Sequence, residues 1–130
     1  MAGWGTGSFE NEDAQNWLGQ LSSLGMDDLK KIFVRAGGLD YLEAPEASIV
    51  VAAAEVLAAL RGAPSETLPR EIADWIGTTK VSSDPELREL AARAVDNVRR
   101  NSELKDLWLE AEGLNEWSAT LRDLQKRLAG

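Results

Sequence analysis

Glu10, Asn11, Glu12 and Asp13 are the densest run of hard oxygen donors in this chain, and clustered carboxylates and amides of that kind could hold Ca2+ or Mg2+. Their spacing fits no named metal loop. Acidic residues opening a helix also satisfy its free N–H groups and complement its dipole, so capping is the simpler explanation. Just upstream, Gly3, Gly5 and Gly7 alternate with Trp4, Thr6 and Ser8 as far as Phe9. Successive glycine N–H groups attract anions. A phosphate cradle, however, needs a strand before the glycines and a Lys-Ser/Thr after them, and the adjacent carboxylates would repel phosphate. The other reading is a tight turn that tucks Trp4 and Phe9 against helices. Trp4, Gly5, Gly7, Phe9, Glu10, Asn11 and Asp13 are thus candidate binding residues on a segment, residues 1–13, expected to be ordered and docked.

Two further sets of carboxylates invite a chemical reading. Glu86-x-x-Glu89 followed by Glu103-x-x-Asp106 resembles the magnesium-binding carboxylates of all-α nucleotide pyrophosphohydrolases. At about 100° per residue, Glu89 falls almost opposite the apolar face of its helix and Glu86 well to the side. Glu103 and Asp106 stand in the same relation to Leu104, Leu107 and Trp108. All four are therefore expected to face solvent, with Arg88, Arg93 and Lys105 nearby as surface partners. Glu55 differs, because it lies inside the most apolar segment of the chain. A carboxylate there must be paired, exposed at an edge or protonated, and an arginine from a neighbouring helix is the expected partner. A perturbed functional acid is the alternative. With Glu46, near the start of the same segment, Glu55 completes the candidate site residues.

The elements that must position these groups are helices. Ala14, Trp17, Leu18 and Leu21 recur at i, i+3, i+4, i+7 and predict a first helix from near Asn11 to near Gly25. Asp27 is expected to cap a second, which Gly37-Gly38 stops, and the two are expected to form a hairpin. The segment from Pro45 to Gly62 is apolar nearly all round, as a central buried helix is. A short helix begins at Pro69, and Asp84-Pro85 opens the most regular amphipathic pattern, Leu87, Leu90, Ala91, Ala94, Val95 and Val98. Asn101-Ser102 starts another, and Gly113 is expected to bend it before Leu114, Trp117, Leu121, Leu124 and Leu128 continue as a heptad-like stripe. Val81 is the nearest approach to a strand. Trp17, Trp75, Trp108 and Trp117 all fall on inner faces, whereas Trp4 lies off any helix. The expected fold is all-α: one domain over residues 1–130, an antiparallel array of six or seven helices behind the Gly/Trp-rich segment.

Three stretches carry a resemblance. They are Trp4-Gly5-Thr6-Gly7-Ser8-Phe9-Glu10-Asn11-Glu12-Asp13-Ala14 with Trp17-Leu18; Tyr41-Leu42-Glu43 with Pro45-Glu46-Ala47 and Ala53-Ala54-Glu55-Val56; and Asn101-Ser102-Glu103-Leu104 with Leu107-Trp108 and Trp117. Together they resemble the bacterial family catalogued as domain of unknown function 4259. That family usually begins Met-Gly-x-Trp-Gly, from which Met1-Ala2-Gly3-Trp4 departs. The resemblance brings no activity with it.

Composition narrows the function classes. The chain has no cysteine and no histidine, which removes thiolate metal sites and the commonest general base. Its net charge is −8, and residues 1–46 hold 3 basic against 8 acidic side chains, so the acidity is concentrated in the first third. No basic stripe offers itself to phosphates, and nucleic acid is not an expected partner. No secretory signal or sufficiently long apolar run is apparent, so a cytoplasmic, non-membrane protein is expected. The leading expectation is a non-enzymatic domain, needing no cofactor or bound metal, whose acidic N-terminal surface binds a basic protein in a toxin-neutralising or regulatory role. The alternative is a metal- or small-ligand-dependent enzyme using Glu10, Asp13, Glu46 or Glu55, which requires those side chains to converge.

Overall fold

From Ala47 to Leu60, alanine and β-branched or leucine side chains cover nearly every side of the segment. In the computed structural model, which describes residues 9, 12–20, 23, 25–66, 68–79 and 84–129, that segment is the axis of the fold. Among the described residues there are seven helices: α1 (Glu12–Leu18), α2 (Met26–Gly37), α3 (Ala44–Leu60), α4 (Arg70–Ile76), α5 (Pro85–Arg100), α6 (Glu103–Glu110) and α7 (Leu114–Ala129). Every position from Val50 to Ala59 in α3 is buried, and α3 touches each of the other helices. Its alanines let neighbours approach closely on all sides.

The surrounding helices run in both directions. Asn97, late in α5, donates both amide hydrogens to Ala36 O and Leu39 O at the end of α2, each at 2.8 Å. The two helices therefore run parallel, with α3 antiparallel to both. Arg88 and Asp96 of α5 reach Leu128 and Gln125 of α7 respectively, so α5 and α7 are antiparallel. The α7 stripe Trp117, Leu121, Leu124, Leu128 is buried as its spacing predicts. One apolar cluster takes in Phe9 and buried residues from all seven helices. No described helix is long and apolar enough to cross a membrane.

Local chemistry sets most boundaries. Asp84 caps α5 by accepting from Leu87 N at 2.8 Å with Pro85 at N1, and Ser102 caps α6 by accepting from Lys105 N at 3.1 Å. Both fit the N-cap rule. Gly25, rather than Asp27, precedes α2, and its N–H donates to Asp28 at 2.9 Å. The first helix stops at Leu18, short of Gly25, and packs mainly on α3 while α2 lies on α5 and α3. The expected hairpin of the first two helices is thus replaced by two separate dockings: α1, only two turns long, buries Ala14, Trp17 and Leu18 in the common core. Gly113 does not bend a continuous helix. The N–H groups of Glu112 and Gly113 close back on Leu109 O and Trp108 O, with Glu112 at φ 59°, which is the Schellman stop. The same closure ends α3, with Gly62 at φ 93° in the left-handed position.

Candidate functional site

Trp4, Gly5, Gly7, Glu10 and Asn11 lie outside the described residues, as do Val81 and, apart from Phe9, Glu12 and Asp13, the docked segment expected over residues 1–13. Phe9 is 5% exposed within the core, and its carbonyl accepts from Gln15 Nε2 at 2.8 Å. Asp13 sits half-buried in the first turn of α1. Glu46 is bound by Arg35 Nε of α2 at 2.6 Å. Nine residues along α3 place Glu46 and Glu55 about 13 Å apart along the axis and on opposite sides of it, so these two do not converge. Among the described residues, no group of three or more Asp or Glu is placed to hold a metal ion.

Glu55 meets the arginine its position calls for. Its oxygens receive Arg127 Nη1 at 2.6 Å and Nη2 at 3.1 Å, a two-point fork that suits a planar guanidinium. Glu55 is 1% exposed. Arg127 also donates through Nε to Asp123 at 2.8 Å and through Nη1 to Ala63 O at 3.3 Å. Burial alone would lower the Arg127 pKa, but hydrogen bonds and charge from Glu55, then Asp123, raise it overall. The cation persists at any ordinary pH. Arg61 and Arg88 donate to Arg127 O and Leu128 O, so three arginines gather at the negative end of α7, where its last carbonyls lack helical partners.

Glu86 and Glu89 face solvent as expected, and Glu89 is paired with Arg93 at 2.8 Å. Glu103 departs from expectation. It is half-buried and its Oε1 accepts from Ala44 N at 2.7 Å, capping α3 from a residue 59 positions away. The reason is the contact just before it: Leu42 forms an isolated parallel bridge with Ser102. Leu42 N donates to Asn101 O at 3.0 Å, and Glu103 N donates to Leu42 O at 2.8 Å. Leu42 is fully buried, and Ser102 Oγ donates to Val98 O at 2.6 Å. The loop before α3 is thereby pinned to the α5–α6 junction by main-chain bonds, with Asn97 holding the loop's other end.

Tyr41 emerges from this clasp onto the surface. The residue is 50% exposed while its hydroxyl donates to Asp106 Oδ2 at 2.7 Å. The tyrosine pKa is pushed up to about 12, first by that hydrogen bond, then by partial loss of hydration and by the charges of Asp106, Glu103 and Glu43. Three carboxylates from two elements thus act on one tyrosine, and Asp106 touches it. Among the described residues, none of Asp40, Glu43, Glu103 or Asp106 is in an ion pair, whereas Arg35, Arg93, Arg99, Arg100 and Arg127 are all engaged with acids elsewhere. Leu109, one turn beyond Asp106, is 58% exposed. This corner was not visible in the sequence: Tyr41 and Asp106 are 65 positions apart, and no local spacing joins them. Chemically it offers anionic groups and an apolar, electron-rich ring, a combination suited to cationic side chains.

Tyr41-Leu42-Glu43 and Asn101-Ser102-Glu103-Leu104, parts of two of the stretches that carry the family resemblance, are the two sides of this clasp. No curated protein and no solved structure matches the chain. Its residues 3–120 match the family model described as Domain of unknown function (DUF4259), and the chain belongs to that family.

Proposed function

We propose that this chain is a non-enzymatic binding domain of the bacterial cytoplasm that presents an anionic surface to a basic protein, in a neutralising or regulatory role. The observation that carries the reading is the Tyr41 corner. There, Glu43 of the α2–α3 loop and Glu103 and Asp106 of α6 act on one half-exposed tyrosine, and none of the three is in an ion pair among the described residues. Aromatic residues with a polar handle dominate interfaces, and a surface of one sign steers and selects partners of the other. Glu46 and Glu55, the carboxylates an enzyme reading would use from α3, are each occupied by an arginine and point apart. The anionic surface assigned to the N-terminal third extends, on this reading, through Glu43 to α6.

The test is isolation of the tagged full chain from its native host at low ionic strength, followed by reconstitution with the purified partner. The expected partner is basic, with affinity that falls steeply as salt rises. A salt-insensitive complex with an acidic protein would refute the reading. So would elemental analysis showing a stoichiometric divalent ion accompanied by thermal stabilisation with Mg2+, Mn2+ or Ca2+, which would favour the metal-dependent alternative.

A further inference from the structure

We infer that the outer face of α6, together with Tyr41, is the docking surface and that its occupant is a basic amphipathic helix of the partner protein. The inference rests on the reading of the chain as an anionic binding domain and adds where the partner sits and what shape it has. The inner face of α6 is spent on Leu104 and Trp108, which are buried. At about 100° per residue, Leu109, Asp106, Glu110 and Glu103 share the opposite face within about 120° of arc. Asp106, Leu109 and Glu110 are exposed. Among the described residues, α6 packs chiefly on α3, α5 and α7, which leaves these three side chains open.

Charge and spacing together select the occupant. Asp106 and Glu110 stand one turn apart on the exposed face, and Glu103, half-buried as the α3 cap, precedes them at i−3, so the row spans about 10 Å of helix. A helix laid alongside, with lysine or arginine at the same intervals, meets them turn for turn, whereas an extended strand advances too fast per residue to keep that register. Leu109 flanks the acidic row, and Tyr41 lies against Asp106, so the partner needs apolar side chains beside its basic stripe. That combination is an amphipathic helix seated by its anchors. A second copy of this chain is a poor occupant, because two molecules of net charge −8 repel.

The experiment uses the full chain and two synthetic peptides of identical composition. One has arginines at i, i+3, i+7 beside leucines on a helical face, and the other is scrambled. Binding is followed by fluorescence anisotropy of the labelled peptide at low and high salt. The variants are Leu109→Ser and Glu110→Lys, both at exposed side chains, and Glu71→Lys on α4 as a remote charge reversal; circular dichroism verifies their folding. The matched peptide is expected to bind, with Glu110→Lys weakening it about three- to tenfold and Leu109→Ser about tenfold or more, while Glu71→Lys changes it by less than about twofold. If binding survives Leu109→Ser and falls equally with Glu71→Lys and Glu110→Lys, the α6 surface is refuted and a diffuse anionic surface remains. If neither peptide binds at low salt, both readings fail. Light scattering showing a dimer that Leu109→Ser dissociates would assign the face to a second copy and overturn the proposed occupant.

Discussion

Replacing Arg127 with methionine isolates the most consequential polar contact in the core. Glu55 is 1% exposed in the middle of α3 and is held by both terminal nitrogens of Arg127. Methionine keeps the volume of the stem but removes the fork, so a carboxylate remains in a site built around a cation. Breaking a buried pair from one side costs about 3–5 kcal/mol, against a total stability of about 6–20 kcal/mol for a chain of this length. At roughly 3–5 °C per kcal/mol, the melting temperature is expected to fall by about 10–20 °C. Part of that cost is a buried carboxylate losing its guanidinium, so the double variant Glu55→Leu/Arg127→Met is expected to recover to within about 2 kcal/mol of the parent. Urea unfolding followed by tryptophan fluorescence reads all three proteins. A loss below about 1 kcal/mol for Arg127→Met, or no recovery in the double variant, would refute the argument that burial of Glu55 depends on this pair.

Three other outcomes follow from local geometry. Gly113→Ala places a Cβ 2.6 Å from Trp108 Cε3, a buried ring that cannot swing away, so a loss of about 1–3 kcal/mol is expected by thermal denaturation. The two Schellman stops predict opposite signs: Glu112→Gly relieves a left-handed residue and is expected to stabilise by about 0.5–1 kcal/mol, whereas Gly62→Ala imposes one and costs about 1–2 kcal/mol. Tyr41 is the sole tyrosine, so its ultraviolet titration reads one group. In the folded protein the midpoint is expected near 12, in urea near about 10, and in Asp106→Asn closer to the urea value. Because the folded pKa is the higher, the stabilisation it brings is complete below the unfolded pKa and disappears as pH rises through the folded one.

Legibility in the sequence tracked the range of the interaction. Asp84-Pro85 and the apolar spacing after it marked α5, and Leu87, Ala91, Ala94, Val95 and Val98 are buried there. The all-round apolarity of α3 announced a central helix, and a buried glutamate inside it announced an arginine without saying which one. Where a helix end depends on a glycine turn, spacing ran past it: Leu21 continued the α1 pattern on paper, but the chain turns at Gly19 and Gln20. Helix partners were harder still. Periodicity shows that α1 and α2 each have an apolar face but not which neighbour covers it, and α3 takes the face of α1 whereas α5 and α3 take that of α2. The Tyr41 corner was least legible, because it depends on the Leu42–Ser102 bridge. Such a bridge joins single residues 60 positions apart, with no strand pattern around them. Glu103 looked like a solvent-facing helix residue by angle, and the bridge turns it into a cap for α3.

Docking of a basic protein on the anionic, aromatic corner at α6 is put to trial by site-specific photocrosslinking in the native host, with a photoreactive amino acid replacing Leu109 and, as a control, Glu71. One basic protein is expected to be captured at position 109 and not at 71, and capture is expected to be abolished when Asp106→Lys and Glu110→Lys are added. Capture of an acidic protein at position 109, or equal capture at both positions, would rule out such docking.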